Sequence, residues 1–481
     1  MLLKRFYDTK LAQASYLIGC AATGEAIIVD ANRDVAQYLR AAEEEGLRIS
    51  HVTETHIHAD FVSGSRELAE RSGGQLLLSG EGGPDWSYSF AAAANARLLN
   101  DGDTFMVGNL RFEVRHTPGH TPEHLSFVVT DTPATDAAIG VLTGDFIFAG
   151  DVGRPDLLEK AAHIAGTMEA SARTLFHSLQ RFRRLPDHLQ LWPGHGAGSA
   201  CGKALGAMPS STLGYEMIAN WGLQLTDEDE FVAMVLAGQP EPPRYFADMK
   251  RINKEGPRVL GGLPHPSLEA DARLGDLIAR GALVVDTRSA AAFAARHVPG
   301  TINIPLDKSF STWAGWFIPF DRDFYLIAGD DRESAIAEAA RDLAMIGLDR
   351  VAGYFEPSVI DAWEASGREV WTIPQMSPPE VAQRMAADEI TVLDVRGQSE
   401  WMAGHVPEVN NIPAGYIADD IANLPTDRPL VLHCQGGGRS AIAASVLRAR
   451  GMSNVVNMSG GFAAWTAQGN PVEIERPLSG V

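Results

Sequence analysis

Residues Thr55 to Phe61 read Thr-His-Ile-His-Ala-Asp-Phe. His56, His58 and Asp60 stand at alternate positions, just ahead of a Gly/Ser-rich turn, Ser63-Gly64-Ser65. Alternating ligand-type side chains before such a turn predict metal ligands presented from a strand end. Neutral imidazole and carboxylate are donors that zinc and ferrous iron share. Phe61 fills a place where a further ligand could have stood, so this one residue biases the metal and with it the reaction.

Three further segments carry ligand-type residues, each after an apolar, strand-like run: Thr117-Pro118-Gly119-His120, Thr143-Gly144-Asp145 and Pro193-Gly194-His195. Loops at one edge of a rigid sheet bring such residues together from distant positions. A lone histidine is usually a surface or hydrogen-bonded core residue, and His51, His116, His124, His163, His177 and His188 take that reading. The ordered set of four segments points instead to a metal site.

Around these motifs, Ala26-Ile27-Ile28-Val29 predicts a strand, and Asp34–Gly46 a short amphipathic helix with Val35, Leu39 and Ala42 inward. The N-terminus carries basic residues without a signal-type apolar core and reads as opening β-strands. Pro/Gly-rich stretches at Lys254–Pro266 and Ile373–Pro379 have linker composition. They divide the chain into domains at 1–255, 266–372 and 377–481.

The second and third blocks repeat one another. Asp286-Thr287-Arg288 answers Asp394-Val395-Arg396, and His297-Val298-Pro299 answers His405-Val406-Pro407, each at an offset of 108. Ser334-Ala335-Ile336-Ala337 answers Ser440-Ala441-Ile442-Ala443 at 106. Short apolar runs (Ala282–Val285, Ile390–Leu393, Pro429–His433) alternate with helical ones, the pattern of a parallel α/β sheet.

With 481 residues, 45% of them hydrophobic, each block has material for a packed core. A net charge of −21 argues against nucleic-acid binding. No stretch reaches the ~18 consecutive apolar residues of a membrane span. Three cysteines, Cys20, Cys201 and Cys434, are too few for a disulfide scaffold, so a reducing cytoplasm is expected.

The order of the four ligand segments, with the tail Pro242-Pro243-Arg244-Tyr245-Phe246 and Lys250-Arg251-Ile252-Asn253, resembles the metallo-β-lactamase superfamily in its glyoxalase II and persulfide dioxygenase branch. The resemblance implies an αββα sandwich for 1–255. In the hydrolase arm a histidine at position 61 serves a second metal. Phe61 removes it and leaves Asp60, His195 and a shared Asp145, a short ligand set. The dioxygenase arm binds one ferrous iron through two histidines and a carboxylate. Carried over, the resemblance makes His56, His120 and Asp145 the ligands of one Fe(II) per chain, with His58, Asp60 and His195 orienting ligands or water. Dioxygenases that keep a histidine at 61 differ here, so the match is to fused, multidomain members. Arg154 is a candidate for holding a substrate carboxylate, the alternative being a pairing with Asp156 or Asp151. Cys201 is expected to face the substrate channel or to serve as a small buried core residue.

In the third block, Leu432-His433-Cys434-Gln435-Gly436-Gly437-Gly438-Arg439-Ser440 runs from a strand end into a helix over 440–450. A thiol there meets the amides of a glycine-rich turn and the positive end of a helix, which stabilise its thiolate or persulfide. Arg439 adds a positive charge. The loop resembles that of a rhodanese, a sulfurtransferase, as do Asp394-Val395-Arg396, His405-Val406-Pro407, Gly460-Gly461-Phe462 and Trp465. Cysteine phosphatases use a loop longer by one residue. The resemblance makes Cys434 and Arg439 catalytic, with Gln435, Gly436, Gly437, Gly438 and Ser440 around the substrate sulfur. In the second block Ala328 stands opposite Cys434 and Glu333 opposite Arg439, with Gly329-Asp330-Asp331-Arg332 between them. That block is expected to be rhodanese-like without its own chemistry, a spacer or docking surface.

Together these imply oxidation of a low-molecular-weight persulfide, such as glutathione persulfide, by O2 to sulfite, followed by sulfur transfer through Cys434 to give thiosulfate. The alternatives are a zinc-dependent thioester hydrolase fused to a sulfurtransferase, and a sulfur-relay protein with an inactive first block. Expected partners are the persulfide, O2 and sulfite, with neither nucleic acid nor membrane, in a homodimer or homotetramer.

Overall fold

The computed structural model describes residues 1–157, 166–199, 201–203, 205–239, 241–329 and 333–474. Among the positions singled out above, His163, Asp330, Asp331, Arg332 and the Glu333 side chain lie outside the described residues. The chain forms two compact units, Met1–Leu263 with Ala344–Gly347, and Pro264–Leu343 with Leu348–Val481.

The first unit holds two six-stranded sheets. One contains β1 (Leu2–Asp8), β2 (Gln13–Cys20), β3 (Glu25–Val29), β4 (Arg48–Thr53), β5 (Gln75–Ser79) and β6 (Arg97–Leu99) in sequence order. The other contains β7 (Thr104–Val107), β8 (Leu110–His116), β9 (Leu125–Asp131), β10 (Gly140–Gly144), β11 (Gln190–Pro193) and β12 (Ser211–Thr212), also in sequence order. In β3, Ile27 and Val29 enter a cluster with Phe112, Phe127, Leu142 and Trp192 of the facing sheet. Ala26 and Ile28 point the other way, onto α1 (Val35–Glu44) and α2 (Ser65–Ser72). A strand buried on both faces reads as a continuous apolar run, which explains Ala26–Val29. The second sheet packs its outer face on α3 (Met168–Phe182) through Leu175, Leu179 and Phe182. The layers are therefore αββα. The inward face of α1 is wider than expected: besides Val35, Leu39 and Ala42 it includes Tyr38, which is fully buried with its hydroxyl hydrogen-bonded to Ser15, while Leu39 packs partly buried on the same cluster.

The second unit holds two parallel sheets. The first has the order β14-β13-β15-β16, from β13 (Leu283–Asp286), β14 (Ile302–Asn303), β15 (Phe324–Ile327) and β16 (Val351–Phe355). The second repeats it as β19-β18-β20-β21, from β18 (Thr391–Asp394), β19 (Asn410–Asn411), β20 (Leu430–His433) and β21 (Val455–Met458), and adds β17 (Gln375–Met376). The repeat extends to side chains. Asn303 Nδ2 donates to the carbonyls of Asp286 and Arg288, and Asn411 Nδ2 to those of Asp394 and Arg396. Arg288 grips Asp286 as Arg396 grips Asp394.

The stretch 373–379 is more than a linker. Ile373 is buried, and β17 pairs with Asn457 and Met458 of β21. Phe293 shares one apolar cluster with Leu393, Leu430, Cys434 and Leu447, so the two sheets of this unit are packed as one body.

Candidate metal centre and sulfur loop

The ligand-type residues of the first unit follow strand ends. His56, His58 and Asp60 follow β4, His120 lies between β8 and β9, Asp145 follows β10, and His195 follows β11. Gly144 pairs with Pro193 in the parallel β10–β11 register, which sets the Asp145 and His195 loops side by side. Gly144 has φ +49, and a Cβ there would lie 2.5 Å from Thr55 Oγ1. Only glycine lets the end of β10 approach the Thr55 segment that closely.

The histidine tautomers follow from the hydrogen bonds. The Thr55 hydroxyl donates to Asp30, so it accepts from His56 Nδ1 at 2.9 Å. His120 Nδ1 donates to the Arg154 carbonyl at 3.0 Å, and His195 Nδ1 to the Ala12 carbonyl at 3.1 Å. Each ring is therefore left with an Nε2 lone pair. These three Nε2 atoms lie 3.9, 3.6 and 3.6 Å from Asp145 Oδ2. Both Asp145 carboxylate oxygens are buried without a hydrogen-bond partner. Burial and the surrounding imidazoles hold His56 well below the ordinary imidazole range, and burial also lowers His120. Three imidazoles oriented by their Nδ1 hydrogen bonds and facing an orphaned carboxylate fit a metal ion, which would satisfy every one of these groups.

The ligand atoms form two clusters, His56–His120–Asp145 and Asp60–His195–Cys201, each with its atoms within 4.8 Å of one another. The first is the set expected from sequence. In the second, His195 Nε2 lies 3.2 Å from Asp60 Oδ2, and Cys201 is buried beside them. Burial and the carboxylates of Asp60 and Asp145 push the Cys201 thiol well up. Phe61 is fully buried, its ring 4.3 Å from that of His58. Burial opposes protonation of His58, but its hydrogen bond to Asp30 and the nearby Glu54 and Asp60 outweigh that and raise it to about 9.

Arg154 departs from the substrate-holding expectation. It is fully buried, and its Nε and Nη2 donate to the two Asp156 carboxylate oxygens at 2.8 Å each. That fork is occupied by the pairing alternative, and the Arg154 backbone instead orients His120. Sequence reasoning missed Asp30, Thr55 and Glu123. Asp30 ends the Ala26–Val29 run, the same strand-end signature as the ligands, and Glu123 accepts from the Ile57 N–H at 2.7 Å. Asn253, on α4 (Phe246–Glu255), donates to the carbonyls of His58 and Phe61 and accepts from the Ser63 N–H. The quoted tail motif is therefore a clamp on the ligand loop.

In the second unit, Cys434 directly follows β20 and Ala328 directly follows β15, as the repeat requires. Cys434 Sγ accepts from the Gly437 N–H at 3.1 Å and the Ser440 hydroxyl at 3.6 Å. Gly437 (φ +97) starts α5 (Gly438–Ala449), whose N-terminus faces the loop. The Phe462 and Ala463 N–H groups donate to the carbonyls of Cys434 and Gln435, and a Cβ on Gly461 would lie 2.3 Å from the Cys434 oxygen. Gly460-Gly461-Phe462 is thus a backbone brace for the loop. Gln435 Oε1 accepts from Arg396. Arg439 pairs with Glu400 through bonds of 2.5 and 2.8 Å, a partner that sequence gave no sign of.

Comparison with known proteins agrees with this fold. The profile of the metallo-beta-lactamase superfamily matches residues 8–195, and that of the rhodanese-like domain matches residues 377–468. A metallo-beta-lactamase crystal structure from Staphylococcus aureus subsp. aureus COL is 44% identical, with a TM-score of 0.68, over 74% of this chain and 99% of that one. The chain belongs to the metallo-beta-lactamase superfamily. This superfamily member also carries a rhodanese-like domain. Its relatives include hydroxyacylglutathione hydrolase of Rhodopseudomonas palustris (strain BisA53), 30% identical over 54% of this chain and 86% of that protein. The mitochondrial persulfide dioxygenase ETHE1 of Bos taurus is 29% identical over 40% of this chain and 68% of that protein. Among the described residues, no helix of this superfamily member is long and apolar enough to cross a membrane.

Proposed function

We propose that this protein is an Fe(II)-dependent persulfide dioxygenase, acting through residues 1–255, coupled to sulfur transfer by residues 377–481. The observation that carries the reading is Phe61. A buried phenyl ring stands against His58 where a two-metal hydrolase needs an imidazole, beside a complete two-histidine, one-carboxylate set. His56, His120 and Asp145 would hold the ion. Ferrous iron in such a site supplies redox chemistry toward O2 and affinity for sulfur, with positions left open. The net reaction is R–S–SH + O2 + H2O giving R–SH and sulfite with its protons, both atoms of O2 going to the outer sulfur.

The chain's own residues set up this chemistry. Thr55, Arg154 and Ala12 lock the three imidazoles with Nε2 inward. Asp60 and His195 face the same space and orient water or substrate, and the apolar surround excludes bulk solvent. At the second site, the Cys434 thiolate attacks the outer sulfur of a persulfide. The S–S bond breaks, the carrier thiol leaves and takes up a proton, and a Cys434 persulfide forms. Sulfite then attacks that outer sulfur, forming thiosulfate and returning the thiolate. The Gly437 N–H and the Ser440 hydroxyl stabilise the sulfur anion in both states.

A second reading, zinc-dependent thioester hydrolysis, has one observation in its favour, the Asp60–His195–Cys201 cluster. Oxygen consumption by the iron-loaded protein with glutathione persulfide separates the two. Rapid uptake with sulfite or thiosulfate is expected, at one iron per chain. No uptake with several persulfides, together with two zinc ions per chain, would transfer the assignment to hydrolysis.

A further inference from the structure

His124 is fully buried and belongs to neither ligand cluster, yet its ring contacts two residues of the first one. It stacks on His56, with centroids 5.1 Å apart and planes 25° from parallel. Its Nε2 accepts from the Asp145 N–H at 3.2 Å, and its Nδ1 lies 2.8 Å from Thr117 Oγ1. A ring nitrogen that accepts from an amide carries a lone pair, so the proton sits on Nδ1 and goes to Thr117. His124 therefore shares the Nδ1–H tautomer of His56, His120 and His195. Its lone pair is occupied by a backbone amide instead of facing the space between the ligands.

That amide belongs to the peptide that places a ligand. The Asp145 carboxylate oxygens have no hydrogen-bond partner, so their place depends on how the Asp145 backbone is held. The Gly144–Asp145 peptide is held from both sides. The Gly194 N–H donates to the Gly144 carbonyl at 2.8 Å, and His124 takes the Asp145 N–H. A Cβ on Gly144 would lie 2.8 Å from His124 Nε2, so the peptide is pressed against the ring. The neighbours of His124 hold the His56 loop as well. The Leu125 N–H donates to the Thr55 carbonyl at 2.7 Å, and Glu123 Oε1 accepts from the Ile57 N–H at 2.7 Å, one on each side of His56. The His124 carbonyl accepts from the Thr117 N–H at 2.9 Å and closes the loop that carries His120.

We propose that His124 is a positioning residue of the metal centre. It does not ligate the ion: its Nε2 lone pair sets the Asp145 peptide, and through it the carboxylate, beside the His56 ring that it supports. The inference rests on the reading of His56, His120 and Asp145 as the ligand set. A histidine needed only for packing would require its shape and its bond to Thr117, whereas a positioning one requires an acceptor at Nε2. Substitution separates the two. Glutamine carries an amide oxygen about as far from the backbone as Nε2, asparagine reaches only as far as Nδ1, and phenylalanine keeps a ring without either nitrogen.

The test uses the full-length protein stripped of metal and titrated with zinc, which takes the same donors as ferrous iron, against a chromophoric chelator. His124→Phe and His124→Asn are expected to lower zinc affinity by about 10–100-fold, and His124→Gln to stay within about threefold of wild type. Melting temperatures of the metal-free proteins are recorded alongside, and affinities that follow them rather than the acceptor would overturn the proposal. A second measurement needs no stable variant other than His124→Gln. With 15N-labelled histidine, the ring signal that this variant lacks should report an Nδ1–H tautomer in wild type, both metal-free and zinc-loaded. An Nε2–H tautomer, or equal zinc affinities in wild type and every variant, would overturn the positioning role. Failure of wild type to bind zinc would instead overturn the ligand set on which that role rests.

Discussion

A phenyl ring has no lone pair to give a metal, and Phe61 sits fully buried with its ring 4.3 Å from that of His58. The residues around it are otherwise those of a second ligand set, since Asp60 Oδ1 is buried without a hydrogen-bond partner and His195 presents Nε2. Returning an imidazole to this position should therefore complete that set. Phe61→His is expected to raise the bound metal from one to two equivalents per chain, read by elemental analysis after loading with zinc. Losing the buried ring should lower stability of the metal-free protein by about 2–3 kcal/mol. Oxygen uptake should fall, because a second cation draws on Asp145, which the first needs. A single equivalent in both proteins would mean that Phe61 does not set the nuclearity.

At the scale of elements, strand ends do most of the work, and this is why so much could be read from the sequence. Short apolar runs closed by Gly, Pro or His mark β10, β11 and β20, and ligands or the sulfur loop follow directly. Two of the pairing partners were not legible. Asp30 on Thr55 and Glu400 on Arg439 depend on how loops fold back, which periodicity does not encode, whereas Asp156 on Arg154 was one of the two pairings its sequence neighbourhood offered. The repeat was legible through spacing, and it exposes a buried histidine with consequences for stability. His297 stacks on Phe293 at 3.9 Å and donates Nδ1–H to its carbonyl, while Nε2 is buried without a partner. Burial, with Arg448 and Arg288 adding to it and the Phe293 carbonyl opposing it, lowers this imidazole from 6.5 to about 4. Below about pH 6.5 the unfolded chain binds a proton that the folded chain refuses, so stability falls as pH drops toward 4 and levels off below it. The loss is at most about 3 kcal/mol. Denaturant titrations at pH 7 and pH 4.5 should show a smaller drop for His297→Phe than for wild type. Equal drops would mean that His297 is protonated in the folded state.

At the scale of the whole molecule, the two sites share a chemistry without sharing a residue. On the proposed reading the first would make sulfite from a persulfide and O2, and the second would consume sulfite and another persulfide, so that two persulfides, O2 and water become thiosulfate and two thiols. The metal cluster lies in Met1–Leu263 and Cys434 in the other compact unit. If sulfite passes between them as a free molecule, the sites can be disconnected by one atom. A serine hydroxyl at 434 cannot carry sulfane sulfur, because no persulfide forms on oxygen. Cys434→Ser is therefore expected to abolish thiosulfate formation, leave oxygen uptake within about twofold of wild type, and let sulfite accumulate in proportion to the oxygen consumed. Adding a catalytic amount of the metal-site variant Asp145→Asn, whose Cys434 is intact, should restore thiosulfate to the mixture, since the intermediate diffuses. Loss of oxygen uptake in Cys434→Ser, or failure of the mixture to make thiosulfate, would mean that sulfur is handed on within one chain, and the two units would have to be treated as a single catalytic device.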